Sequence, residues 1–277
     1  MAWDRQITIK SPAELEIMRA AGIINAEALA AAYAIIRPGV STADLNAAAE
    51  EVLKKYGVYS PFKNYPGPYP YPTSTCVSVN EELVHGIPDK RRKLKEGDIV
   101  SMDCGTVYQG FVADSAFTAG VGEVSPVARK LLETTEKALY AGIDKMVAGN
   151  HVGDVSAAIQ NVVDSRGLHV TREYTGHGVG RAMHEGPQVP NYGISGRGMV
   201  LRVGMTIALE PMVLVGTPNT RVMPDDWTVC AADNSLTAHF EHSVAITENG
   251  PLILTLLADG SSPAQIGGPG QLKKESV

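Results

Sequence analysis

Two stretches of this chain repeat one design. Residues 11–58 (SPAELEIMRAAGIINAEALAAAYAIIRPGVSTADLNAAAEEVLKKYGV) and 125–168 (SPVARKLLETTEKALYAGIDKMVAGNHVGDVSAAIQNVVDSRGL) both begin Ser-Pro, a pair suited to a helix start. Each runs for six or seven turns of helical length, then breaks, at RPGVS in one and VAGNH in the other. A second helix follows in each, starting near Asp44 or Asp154 and ending before Gly57 or Gly167. Gly39–Gly57 aligns with Gly149–Gly167 without a gap, and strand-rich segments 74–122 and 169–256 come next. The repetition predicts an α+β fold of two helix–helix–strand halves, about 11–122 and 125–256. Their sheets should be joined, with the helices packed on one side.

A chain of 277 residues, 44% hydrophobic and 19% charged, suits one globular body built of two fused halves. Residues 1–257 are expected to form a single domain. From Ala258 the core pattern stops, so 258–277 is expected to be a flexible tail. A net charge of -6 and a pI near 5.7 disfavour a nucleic-acid or membrane-surface protein. The apolar run 28–36 is too short to span a bilayer, and MAWDRQITIK is not a signal peptide. Cys76, Cys104 and Cys230 have no paired spacing and read as reduced thiols, which points to the cytoplasm.

Residues 174–192, YTGHGVGRAMHEGPQVPNY, hold His177 between glycines and His184 seven residues on. This is not a zincin helix, because His184-Glu185 runs into Gly186-Pro187 and no second histidine follows one turn later. Neither a G-x-G-x-x-G fingerprint nor a Gly-Lys phosphate loop is present. The stretch should be strand or irregular backbone that presents imidazoles.

Aspartate is depleted in strands, yet Asp103 sits in IVSMDCG and Asp114 in GFVADSAF. A hairpin turning at Tyr108-Gln109 would set the two directly opposite, with Cβ atoms about 5 Å apart. Like charges so placed need a proton or a cation between them. Glu210 in TIALEPMV and Glu241 in AHFEHSV repeat the anomaly in the second half. Four carboxylates and one imidazole suit two divalent ions such as Mn²⁺, Fe²⁺, Co²⁺ or Zn²⁺, a hydrolytic type of centre. Cys104 should face the other side of its strand from Asp103. His239 and His242 flank Glu241 and read as structural or supporting groups, while nothing marks His151 or His169.

The 174–192 stretch resembles the signature of type I methionine aminopeptidases, which have the creatinase or "pita-bread" fold, and the likeness runs from about residue 11 to 256. The resemblance implies two pseudo-symmetric halves around a curved antiparallel sheet. It implies that Asp103 chelates one metal, that His177 and Glu210 bind the other, and that Asp114 and Glu241 bridge them. The metals would be divalent Co, Mn, Fe, Zn or Ni. NEELVHGIP resembles the segment with the first substrate-side histidine, His85, and His184 would be the second, placed on the scissile carbonyl. Glu210 would also shuttle a proton.

YPTSTC and DDWTV resemble the segments lining the methionine pocket, which implies Tyr71, Cys76 and Trp227. Met183 stands where the family often has Phe, and the Pro/Tyr-rich loop 63–76 leaves open which tyrosine lines the pocket. The implied activity is removal of the initiator methionine from nascent polypeptide N-termini when the second residue is small. The ribosome is then a candidate partner, and a monomer is expected. One alternative is an Xaa-Pro aminopeptidase or prolidase, although those usually carry an extra N-terminal domain, for which there is no room before Ser11. Another is a non-catalytic binding protein of the same fold, against which the full set of five ligand residues speaks.

Overall fold

The two repeat starts act as helix caps. Ser11 caps α1 (Pro12–Ala34) and Ser125 caps α3 (Pro126–Ile143), each side chain accepting from a first-turn backbone N–H. The second helices, α2 (Thr42–Lys55) and α4 (Val152–Asp164), also start alike. The Asp44 and Asp154 carboxylates accept from the backbone N–H of Ser41 and His151 at 2.8 and 2.7 Å. Gly39 and Gly149 share a left-handed backbone (φ 90° and 95°), as do Gly57 and Gly167 (φ 66° and 64°). This computed structural model describes residues 7–264.

α3 is shorter than expected. Its 18 residues make about five turns. Beyond Ile143 the chain tightens into turns, with Lys145 N–H on the Gly142 carbonyl and Met146 N–H on that of Ile143, and these bury Met146 completely.

The first half continues with β1 (Thr75–Val79), β2 (Glu82–Val84), β3 (Ile99–Tyr108) and β4 (Phe111–Gly120). The second adds β5 (His169–Val170), β6 (Thr175–Gly178), β7 (Glu185–Pro190), β8 (Thr206–Leu209), β9 (Met212–Leu214), β10 (Thr220–Val222), β11 (Val229–Ala231), β12 (Thr237–His239), β13 (Glu241–Thr247) and β14 (Gly250–Ile253). One antiparallel sheet runs β1-β3-β4-β13-β8-β6-β7, with β14 also on β13. The seam between the halves is therefore β4 against β13. Two three-stranded sheets, β10-β11-β2 and β12-β9-β5, flank it.

The β3–β4 register corrects the expected hairpin. Tyr108 pairs with Phe111, so the turn is Gln109-Gly110, both at positive φ (47° and 80°). A two-residue hairpin of this hand needs two left-handed residues, and glycine meets that demand more easily than Tyr108 would. Moving the turn by one residue moves every cross-strand partner by two. Asp103 thus faces Ala116, and Asp114 faces Gly105. The aspartates remain on one face as diagonal neighbours, because a shift of two preserves the side of the sheet.

The opposite face of this hairpin meets α1. Asn25 is wholly buried, donating to the Cys104 carbonyl and to Thr106 Oγ1 (3.3 Å) and accepting from Ser115 Oγ (2.5 Å). Leu29, Leu45, Met102, Leu131, Leu139 and Ile159 are among the core side chains between helices and sheet, each stabilising by about 1.5–3 kcal/mol. Cys104 belongs to this core. α1 can approach closely because Gly22 has no Cβ, which would otherwise strike the Leu254 carbonyl oxygen. Arg19 donates to the carbonyls of Leu254, Leu256 and Leu257 at 2.6–2.9 Å. Of the tail expected from Ala258, residues 258–264 are described, and Pro263 and Ala264 are buried, Ala264 against the core. Residues 265–277 lie outside the described residues.

A buried ion pair ties the N-terminal segment to the start of β7. Lys10 Nζ lies 2.5 Å from Glu185 Oε2, with the two side chains only 2% and 5% exposed. Thr8 Oγ1 donates to the same oxygen at 2.5 Å, and the other carboxylate oxygen accepts from the backbone N–H groups of Arg181 (2.6 Å) and Ala182 (3.1 Å). Burial pulls the Lys10 ammonium below its usual pKa, against the pull of Glu185. Burial pushes Glu185 up, but hydrogen bonds from Lys10 and Thr8 outweigh it and hold the carboxyl below its usual range. Removing one partner would leave a buried charge. We expect Lys10→Met to destabilise the protein by about 3–5 kcal/mol in urea denaturation. A loss below about 1 kcal/mol, the usual worth of an exposed pair, would contradict this burial.

Candidate metal centre

Five side chains from both halves converge on the face of the sheet opposite α1. Asp103 comes from β3, Asp114 from β4 and His177 from β6. Glu210 follows β8, and Glu241 opens β13. Ligating atoms of Asp114, His177 and Glu241 lie within 4.8 Å of one another. His177 Nε2 is 3.5 Å from Glu210 Oε1 and 3.9 Å from Asp114 Oδ2. Asp114 and Glu241 are each 2% exposed.

Hydroxyl groups splice the seam that holds this arrangement. Ser243 Oγ accepts from Asp114 N–H at 2.9 Å and donates to the Asp114 carbonyl at 2.8 Å. Thr118 Oγ1 does the same for His239, accepting at 2.9 Å and donating at 2.7 Å. Asn191 Nδ2 donates to the Glu210 carbonyl at 3.0 Å, fixing the backbone where β8 ends. These side chains replace ladder hydrogen bonds where strands stop pairing, so the carboxylates sit on stiff backbone.

The electrostatics demand a counter-charge. Burial, followed by the charges of Asp103 and Glu210, raises the Asp114 carboxyl well above its usual range. Burial and then the Asp114, Glu210 and Asp103 charges do the same to Glu241. Asp103 and Glu210 are each pushed up to about 7, chiefly by burial. Asp103 Oδ1, Asp114 Oδ1 and Glu241 Oε1 are buried without a hydrogen-bond partner. His177 adds a directional argument. Its Nδ1 lies 2.9 Å from the Gly178 carbonyl, which can only accept, so Nδ1 carries a proton. In the metal-binding form of the ring, the Nε2 lone pair then faces the carboxylate oxygens of Asp114 and Glu210. Acceptors aimed at acceptors, with three oxygens unpartnered, fit a divalent cation bound by oxygen and imidazole.

A cleft of about 240 Å³ opens beside the cluster. All eleven candidate residues border it: the five above together with His85, His184, Tyr71, Cys76, Met183 and Trp227. Its apolar end is a cluster of Phe62, Tyr71 and Cys76 with Tyr65, Met183 and Trp227. Tyr71 is pinned by donating to the Gly86 and Thr75 carbonyls at 3.0 and 3.3 Å, and Trp227 stacks edge-on against it at 5.1 Å. His85 adopts a left-handed backbone (φ 61°), unusual for a residue with a Cβ. Burial, aided by His239, pushes its imidazole down to about 4, so the ring is neutral at pH 7. The His184 ring centroid lies 4.3 Å from that of His177.

Some lining residues were not singled out from the sequence. Tyr65 and Phe62 line the cleft, while Tyr69 packs on the outer side of Trp227 and bonds to the Asp225 carbonyl. Tyr174, Gln188 and Met212 form another wall. His239 faces the cluster, its Nε2 3.5 Å from Glu210 Oε2 and 3.7 Å from Glu241 Oε2. Alternation along an extended chain puts 239 and 241 on one side, so the parity of these two numbers held the signal. His242 points away and meets Thr255 Oγ1 at 2.8 Å.

The model of metallopeptidase family M24 matches residues 16–248. The methionine aminopeptidase of Clostridium acetobutylicum is 49% identical over 250 residues, which are 90% of this chain and 99% of that protein. The crystal structure of the Thermotoga maritima methionine aminopeptidase superposes with a TM-score of 0.88 at 48% identity, covering 90% of this chain and 99% of that one. The Pyrococcus horikoshii prolidase is more distant, with a TM-score of 0.69 and 26% identity, covering 90% of this chain and 63% of the prolidase. The architecture is the pita-bread fold, and the chain belongs to metallopeptidase family M24, among its type I methionine aminopeptidases.

Proposed function

We propose that this protein removes the N-terminal methionine from nascent polypeptides whose second residue is small, by metal-dependent hydrolysis of the first peptide bond. The observation that carries the reading is the juxtaposition of a carboxylate–imidazole cluster with a sulfur- and aromatic-lined pocket. Two divalent ions would be held, Asp103 serving one, His177 and Glu210 the other, and Asp114 and Glu241 both. Bound there, such ions supply Lewis-acid polarisation and make water a nucleophile at neutral pH.

The chain's own groups do the rest. Tyr71, Cys76, Met183 and Trp227 take the methionine side chain, a polarizable lining suited to a thioether. His184 donates to the scissile carbonyl and stabilises the charge that develops on its oxygen. The neutral imidazole of His85 meets the scissile amide nitrogen. The Glu210 carboxylate takes the proton of the attacking water and passes it to the departing amine. Residues 1–257 would act as one catalytic domain in two halves, as a cytoplasmic monomer meeting its substrates at the ribosome. No helix among the described residues is long and apolar enough to cross a membrane.

Peptides varied at their first two residues test the activity. Met-Ala-Ser and Met-Gly-Met should be cleaved, while Met-Lys and Met-Leu peptides should be at least about 10-fold poorer in kcat/KM, because a bulky second side chain collides between His85 and His184. Equal rates for Met-Ala and Met-Lys peptides would overturn the steric reading. Preferential cleavage of Ala-Pro would move the protein toward the proline-specific enzymes.

The charge cluster predicts a pH signature for chelator-treated protein. Asp103 and Glu210 titrate near 7 when folded and near their ordinary values when unfolded. Because the folded pKa is raised, their stability contribution is fully present below about pH 4 and is lost as pH rises through about 7. In EDTA the Tm should therefore fall by at least about 5 °C across this window, and Mn²⁺ or Co²⁺ should reverse the fall. A metal-free Tm that rises across the same window would contradict the charge assignment.

A further inference from the structure

The Pro/Tyr-rich loop reaches the reacting end of the cleft through one hydroxyl group. Tyr65 Oη lies 2.7 Å from His184 Nδ1, and the two rings meet edge-on at 5.4 Å. The loop that presents this phenol is stapled to itself. Tyr65 N–H bonds to the Phe62 carbonyl (2.8 Å), Tyr71 N–H to that of Tyr65 (3.0 Å), and Asn64 N–H to that of Tyr71 (2.8 Å). Asn64 takes the left-handed conformation (φ 67°) that closes the turn. Tyr71, at the other end, is anchored through its own hydroxyl to the Gly86 and Thr75 carbonyls. The phenol is thus delivered by a closed, internally bonded segment.

We propose that Tyr65 is a positioning residue that fixes His184 as the tautomer with its proton on Nε2. Of these two groups the phenol is the stronger acid and the neutral imidazole nitrogen the stronger base, so the hydroxyl donates and Nδ1 accepts. A neutral imidazole with Nδ1 occupied in this way carries its single proton on Nε2, which makes that nitrogen the donor. The inference rests on the reading of His184 as the donor to the scissile carbonyl. It adds that the wall of the methionine pocket sets the protonation pattern of that donor. Without the hydroxyl, the Nδ1–H tautomer of His184, which presents a lone pair to the carbonyl oxygen, would gain population.

Tyr65→Phe keeps the ring contact and removes only the hydroxyl. In the zinc-loaded protein, long-range ¹H–¹⁵N spectra should show His184 as the Nε2–H tautomer in wild type and with a larger share of the Nδ1–H tautomer in Tyr65→Phe. On Met-Ala-Ser, kcat should fall about 3- to 10-fold, the worth of one neutral hydrogen bond, with KM changed less than about twofold. The same tautomer in both proteins, or an effect on KM alone, would overturn the proposal. A wild-type enzyme inactive on Met-Ala-Ser would sink the peptidase reading instead, and the spectra would still decide the role of Tyr65.

Discussion

Mutual repulsion of four clustered carboxylates, two buried and two half-buried, is the constraint around which this structure is organised. Asp103, Asp114, Glu210 and Glu241 lie where burial and each other's charge oppose ionisation. Hydrophobic packing alone would expel such a group, since an unpaired buried charge costs several kcal/mol. The cluster is tolerable because a cation can offset it, and it stays assembled because the surrounding backbone cannot relax. α1 and α3 pack against β4 and its neighbours, and Asn25 locks the far face of the β3–β4 hairpin. Ser243 and Thr118 hold the seam at the two places where ladder pairing would otherwise lapse. Stability made on the helix side thus supports strain on the cleft side.

The duplication has a physical consequence for the site. Each half supplies a pair of helices and strands, but neither holds the ligand set alone, since Asp103 and Asp114 lie in one half and His177, Glu210 and Glu241 in the other. Within the main sheet the β4–β13 pairing brings them together, with Glu241 opposite Ala116 and His242 opposite Ser115. The cleft is likewise shared, for Tyr65, Tyr71 and Cys76 face Met183 and Trp227 across it. Two further clamps, Lys10 on Glu185 and Tyr65 on His184, hold the start of β7 and the residue before it.

Much of this was legible in the sequence because the anomalies were local. Acids inside apolar strands, a histidine between glycines and two Ser-Pro helix starts each violate or satisfy a short-range rule. The face shared by Asp103 and Asp114 survived a wrong turn position, because an error of one residue in the turn shifts cross-strand partners by two. Their direct opposition did not survive. Choosing between Tyr108-Gln109 and Gln109-Gly110 turns on the left-handed propensities of Tyr108 and Gly110, which strand alternation alone does not weigh. The role of Tyr65 was hidden for another reason. Its partner lies 119 residues away, and a proline-rich loop has no periodicity from which to read a direction. The early end of α3 depends on Met146 entering the core, a tertiary preference that overrides helical length.

On the proposed reading, Asp103, Asp114, His177, Glu210 and Glu241 together hold two divalent ions. Anomalous diffraction from crystals grown with excess Mn²⁺ measures this directly. Two manganese peaks about 3.5–4 Å apart are expected, with Asp114 and Glu241 contacting both, Asp103 one, and His177 with Glu210 the other. Crystals in which manganese binds elsewhere, while these carboxylates stay paired to each other through protons, would contradict it.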